Sequence, residues 1–152
     1  MNELASRPAV PAMSAAAIAN VRALEQRMLA MPQTPIRTDH VLHGGMYART
    51  ILIPAGTVLT GALIRVPTML VIAGDALVTL DGKAVRLSGY HVLPAAEGRK
   101  TAFVTIADTH VTMLFPTAAR TVVEAEAEFT VEADRLGSRR DPASNHITIT
   151  GE

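Results

Sequence analysis

G-T-V-L-T-G-A-L-I-R-V-P-T-M-L-V-I-A-G-D-A-L-V-T-L-D-G-K-A-V-R-L-S-G-Y-H-V-L-P, residues 56–94, decides the fold. It reads as short runs rich in Val, Leu and Ile, punctuated by glycine turns at Gly61, Gly74, Asp81-Gly82 and Gly89. Asp81-Gly82 separates A-L-V-T-L from K-A-V-R-L. A type I′ turn needs positive φ at both central residues, which Asp and Gly tolerate, so this pair marks a hairpin.

Outward from the hairpin, the same grammar continues. Residues 46–53 form a strand that Pro54 ends. Residues 62–66 and 69–73 make two runs separated by Pro67-Thr68, a place for a strand start, a bulge or an edge. Residues 90–93, 101–107 and 110–115 complete the set. Short strands with turn signals about every eight to twelve residues argue for an antiparallel sandwich or barrel.

Helical periodicity flanks this region on both sides. Ser14 is an N-cap for a helix over residues 15–31 that Pro32 stops. Ile18, Val21, Leu24 and Met28 form its apolar stripe, facing either its own domain or a neighbouring subunit. Residues 120–136 are rich in Ala and Glu and read as one helix, with Phe129 and Leu136 on its stripe and Gly137 as C-cap. Glu124, Glu128 and Glu132 line a second side, read as a solvated acidic face. Ile147 and Ile149 alternate with threonines in a strand too short to stand alone. It pairs with its own sheet or with a neighbour's edge. The interface candidates are therefore Ile18, Val21, Leu24, Met28, Phe129, Leu136, Ile147 and Ile149. The expected organisation is an arm and helix over 1–35, a β-barrel over 36–118, and a helix and tail over 119–152.

Composition narrows the function classes. The 152 residues are 49% hydrophobic but only 3% aromatic, so Val, Ile, Leu, Met and Ala must supply core volume. Lys and Arg balance Asp and Glu to a formal net charge of zero, so no basic excess points to nucleic acid. The absence of cysteine excludes disulfides, thiolate nucleophiles and Cys-based metal sites. No apolar run is long enough to span a bilayer, and the N-terminus lacks the pattern of a secretory signal. A soluble protein made in the cytoplasm, with no membrane partner, is the expectation.

Residues 47–115 resemble the cupin superfamily. I-L-I-P-A-G at residues 51–56 is similar to the opening of that family's first motif. M-L-V-I-A-G-D-A at 69–76 is similar to its closing strand, and D-G-K-A-V-R-L-S-G-Y-H-V-L-P at 81–94 to the approach to the second motif. The resemblance implies a small jelly-roll β-barrel and a dimer or higher oligomer. Metal-binding cupins place His-x-His and a Glu in the first motif and a further His in the second. Those positions fall here at about Gly61, Leu63, Pro67 and Lys100 or Thr101, none of which offers an imidazole or carboxylate. The expectation is an all-β, small cupin-like barrel without a metal or other cofactor.

T-D-H-V-L-H-G-G-M-Y-A-R-T-I at residues 38–51 and E-A-E-A-E-F-T-V-E-A-D at 124–134 also resemble small cupin-like proteins of tailed bacteriophages and prophages. This implies a virion component, in capsid decoration or cement, collar or tail, with itself and other virion proteins as partners. The expected role is structural and non-catalytic.

The rival is an enzyme. His43, His91 and His110 could rebuild a non-standard metal site if all three pointed into the barrel. His91 with Tyr47 or Tyr90 could support metal-free acid–base chemistry. His40 and His43 stand three apart, which on a strand puts them on opposite faces. G-x-G-x-x-G, a phosphate loop and a G-x-S-x-G elbow are all absent from the sequence.

Overall fold

The computed structural model describes residues 9–150 and is mostly β. Among these residues one curled sheet forms a half-barrel with helices at both ends. Its strands are β1 (Thr38–His43), β2 (Met46–Ile53), β3 (Val58–Thr60), β4 (Thr68–Leu80), β5 (Lys83–Ala95), β6 (Ala102–Thr105), β7 (Thr109–Pro116) and β8 (Asn145–Ile149). The helices are α1 (Ala15–Leu29), α2 (Val122–Phe129) and the short α3 (Gly137–Arg140). The strand order is β3-β6-β4-β7-β2-β1-β8, with β5 on the other edge of β4.

Asp81-Gly82 closes the β4–β5 hairpin with φ values of 48° and 82°, the signs a type I′ turn requires. The ladder runs unbroken from Leu80↔Lys83 to Thr68↔Ala95. Gly74 and Gly89 are therefore not turns, as the sequence suggests, but opposed residues inside two long strands. β4 changes partner there, pairing with β7 over residues 69–73 and with β6 over residues 76–78. The start of β7 crowds that point. A Cβ on Gly74 would stand 2.6 Å from Thr109 Cα, so only glycine lets the strands pass. Residues 62–66, expected as a strand, contribute only an isolated bridge between Ile64 and Arg99.

Ser14 caps α1, its hydroxyl accepting from the Ala17 amide at 3.1 Å. The helix stripe turns inward: Met13, Ala17 and Val21 pack on Ala102, with Ile18 and Leu24 against them. The expected helix over 120–136 is broken. α2 ends at Phe129, Thr130 is extended, and a 3-10 turn follows at Ala133–Arg135. Phe129 and Leu136 lie in the main core with Tyr47, Ile72 and Phe115. Val21, Phe129 and Leu136 are thus buried within the chain, and Ile18 and Leu24 partly so, because the sheet's own concave and lateral faces need covering. Met28 is half-buried. Ile147 and Ile149 remain 56% and 52% exposed, although β8 pairs in parallel with β1 of its own sheet.

Candidate functional site

Alternation along the strands sets the concave face. His40 and Leu42 of β1, Tyr47 and Arg49 of β2, Met113 and Phe115 of β7, and Leu70 and Ile72 of β4 occupy matched inward positions. α2 covers them. Phe129 stacks on Tyr47 at 6.3 Å between ring centroids, and Phe115 meets Tyr47 edge-on at 5.6 Å. Arg49 lies 5.6 Å over the Phe129 ring and pairs with Glu126 at 3.2 Å. Arg139 and the Ser138 hydroxyl also donate to Glu126, at 3.0 and 3.1 Å.

His40 closes this cluster. Its Nδ1 is 2.7 Å from the Tyr47 hydroxyl and its Nε2 is 2.8 Å from Asn145 Oδ1. Burial lowers the His40 pKa, with the Asn145 bond opposing part of that shift. Burial raises the Tyr47 pKa, against the pull of Arg49. Both groups are neutral at pH 7, as a hydrogen-bonded core pair should be.

A second cluster gathers around Lys100, one of the positions that the sequence resemblance matches to a cupin metal ligand. Lys100 has no solvent exposure. Its ammonium donates to the Gly61 carbonyl at 2.9 Å and pairs with Glu25 at 3.0 Å and Glu132 at 3.2 Å. Glu25 comes from α1 and also accepts from the Thr60 hydroxyl at 3.0 Å. Glu132 comes from the turn after α2 and also takes Arg22 at 2.6 Å and the Leu63 amide at 3.3 Å. Burial alone would raise the Glu132 pKa; the Leu63 amide, Arg22 and Lys100 outweigh it and hold the carboxyl below its ordinary value. The helix breaks after Phe129 and Glu132 turns in to Lys100, so Glu132 is not on the solvated face expected for it. Next door, Arg99 is 3% exposed and donates to the Ala96 carbonyl at 2.7 Å and the Thr68 hydroxyl at 2.8 Å. Burial brings its pKa down to about 10, which leaves it charged at neutral pH.

The three histidines of the enzyme alternative do not meet. His91 pairs with Ile72 and His110 with the next residue, Ala73, so they project from opposite faces. His43 sits exposed at the end of β1, its Nδ1 2.7 Å from the Thr150 hydroxyl. His91 Nε2 turns back to the Ser88 carbonyl at 2.9 Å. Among the described residues no group of three or more His, Asp or Glu is placed to hold a metal ion. Tyr90 points outward, 71% exposed, and Tyr47 meets His40 instead of His91.

The sequence pattern shows Lys100 only as a position matching a ligand and does not pair His40 with Tyr47. Two signals bore on these residues. Lys100 stands where the second cupin motif carries its ligand, and His40 shares the inward register of Leu42. Every fully buried side-chain nitrogen or oxygen among the described residues has a hydrogen-bond partner. Neither cluster leaves an open coordination position or an unpaired acid or base. Two depressions lie elsewhere. One of about 240 Å³ on the convex face is lined by Arg37, Asp39, Thr50, Leu52 and His110. One of about 210 Å³ runs beneath α1 beside Thr79, Gly82 and Ala102.

No family model matches the chain, and no curated protein matches it. Solved structures do. The likeness is to cupins. KdgF from Halomonas sp. is 22% identical over 59% of this chain and 84% of that one, with a TM-score of 0.47. The cupin domain of Schizosaccharomyces pombe Cnp3 is 12% identical over 66% and 71%, at 0.46. The cupin domain of an XRE-family transcriptional regulator from Enterobacter cloacae is 18% identical over 47% and 83%, at 0.40. Similarity at this level brings neither a substrate nor a site residue to the chain.

Proposed function

We propose that this chain is a non-catalytic structural protein that acts as a homo-oligomer through protein–protein contacts, with the half-barrel as its scaffold. One observation carries this. Lys100, at a position where the sequence resemblance puts a cupin metal ligand, is enclosed by Glu25 and Glu132, which come from the terminal extensions. An ammonium so enclosed is a fastening between barrel and arms. The resemblance to phage cupin-like proteins argues for a virion component, in capsid decoration, collar or tail, made in the host cytoplasm. No helix among the described residues is long and apolar enough to cross a membrane.

The test has two arms. Elemental analysis of protein purified without tags and dialysed should find no stoichiometric transition metal; iron, manganese, nickel or zinc at one per chain overturns the scaffold role. Mass spectrometry of particles released from a host carrying the gene should detect the chain at fixed stoichiometry to the major capsid protein; its absence from washed particles removes the virion placement. The His40–Tyr47 contact at 2.7 Å is the one feature that favours metal-free enzyme chemistry. Both residues are buried at 1% and 0% exposure, out of reach of a substrate.

A further inference from the structure

The convex face of the sheet carries an unbroken apolar row across its strands. Val41 pairs with Ala48, Ala48 with Leu114, Leu114 with Met69, and Met69 with Pro94. The row thus crosses β1, β2, β7, β4 and β5. On one side Val71 and Val92 continue it; on the other Met46 and Pro116 do. Val41, Met46, Met69 and Val92 are 38%, 37%, 44% and 50% exposed, and Tyr90 projects from the rim at 71%. An antiparallel sheet with a wet outer face shows apolar and polar residues in alternation. M-L-V-I-A in β4 and M-L-F-P in β7 do not alternate. Strands of that composition are built to be covered on both faces.

We propose that this face is where a second copy of the chain docks, sheet against sheet. The inference rests on the oligomeric part of the proposed function and assigns its surface. Size favours this occupant. Strands about 4.8 Å apart and residues about 3.4 Å apart give the five-strand face, four alternate residues deep and with Thr50, Thr112 and His110 beside the apolar row, a plan area of about 600 Å². Side-chain relief raises that toward the roughly 800 Å² per partner of a standard-size interface. Charge favours it too. The charged groups on the face, Arg37 and Asp39, pair with each other at 3.1 Å at its edge. The face therefore presents no net charge by which to select an oppositely charged partner, and interface centres are depleted of charge. An apolar row complements itself, as an isologous contact requires, and Leu114 at its middle lies near the two-fold axis.

Sedimentation of the full chain is the test. At about 100 μM, well above a micromolar Kd worth ~8 kcal/mol, the wild type should sediment as a dimer or a multiple of one. Met69→Glu with Val92→Glu changes two exposed side chains and should shift the species to monomer with an unchanged far-UV spectrum. Because the chain has no cysteine, Leu114→Cys gives a single thiol. Mild oxidation should link that variant into covalent dimers, while Val123→Cys, at an exposed position on α2, should stay uncoupled. An oligomer that survives the paired glutamates, with no linkage through position 114, overturns the face alone. A monomeric wild type overturns the face and the oligomeric role together.

Discussion

The Lys100 ammonium and the Glu132 carboxylate meet at 3.2 Å across a separation of 32 residues, with the lysine fully enclosed. The pair joins the rim of the half-barrel to the C-terminal extension. Removing Glu132 leaves the Lys100 ammonium with Glu25 alone, a loss that approaches the roughly 3–5 kcal/mol of breaking a buried pair. Glu132→Ala should therefore lower the melting temperature by roughly 10 °C. Thermal unfolding by circular dichroism measures it, and a loss below about 2 °C would show that the cluster fastens nothing.

Acid should loosen the same fastening. The folded state holds the Glu132 carboxyl below its unfolded value. Its contribution is fully present above the ordinary carboxylate range and is lost as pH falls through the folded value. Unfolding midpoints measured from pH 6 down to pH 3 should decline, and Glu132→Gln should flatten that decline. Equal slopes in the two proteins would contradict the assignment.

His40 acts in a higher window. Burial keeps its folded pKa below the ordinary histidine value of about 6.5. The unfolded chain therefore takes up the proton first. Stability is fully present above about pH 6.5 and falls with pH down to the folded pKa. His40→Gln keeps hydrogen-bonding capacity toward Tyr47 and Asn145 without a titrating group. It should remove the stability change between pH 7 and pH 5 that the wild type shows.

Gly74 tests the crossing of β4 and β7. A Cβ there would stand 2.6 Å from Thr109 Cα and 2.7 Å from the Asp108 carbonyl oxygen, both backbone atoms with little room to yield. Gly74→Ala should cost about 3 kcal/mol in chemical denaturation. At Gly137 no heavy atom lies within 4 Å of the same Cβ, and Gly137→Ala should change stability by less than about 0.5 kcal/mol. Similar effects at both sites would mean the crossing tolerates a side chain.

Phe129 tests the cover over the concave face. It is 1% exposed and stacked on Tyr47. Phe129→Ala should cost about 3–5 kcal/mol and open a cavity that binds an apolar fluorophore. Unchanged dye binding with unchanged stability would show that α2 does not seal the barrel.

Much of the fold was legible because local chemistry forced it. Asp81-Gly82 takes positive φ wherever it sits between two strand-forming runs, and Ser14 caps α1 by its own hydroxyl. The site was less legible. Glu132 read as part of a solvated acidic face, and Lys100 as no more than a position matching a ligand, because periodicity within one segment cannot show which extension will fold over it. Glu25 and Glu132 are 107 residues apart in sequence, and only the packed chain brings both to Lys100. Gly74 and Gly89 read as turns because glycine marks both a turn and a close approach, and β7 decides between them.

β8 settles beside β1 in parallel, with Asn145 reaching His40 across 105 residues. That pairing is a timing constraint on synthesis. β1 leaves the ribosome well before β8 and must wait, one edge unpaired, until that strand emerges. Contacts of such separation form late and slowly, and an open edge invites other chains meanwhile. The yield of folded protein should therefore depend on how fast Asn145–Ile149 follow the strands before them.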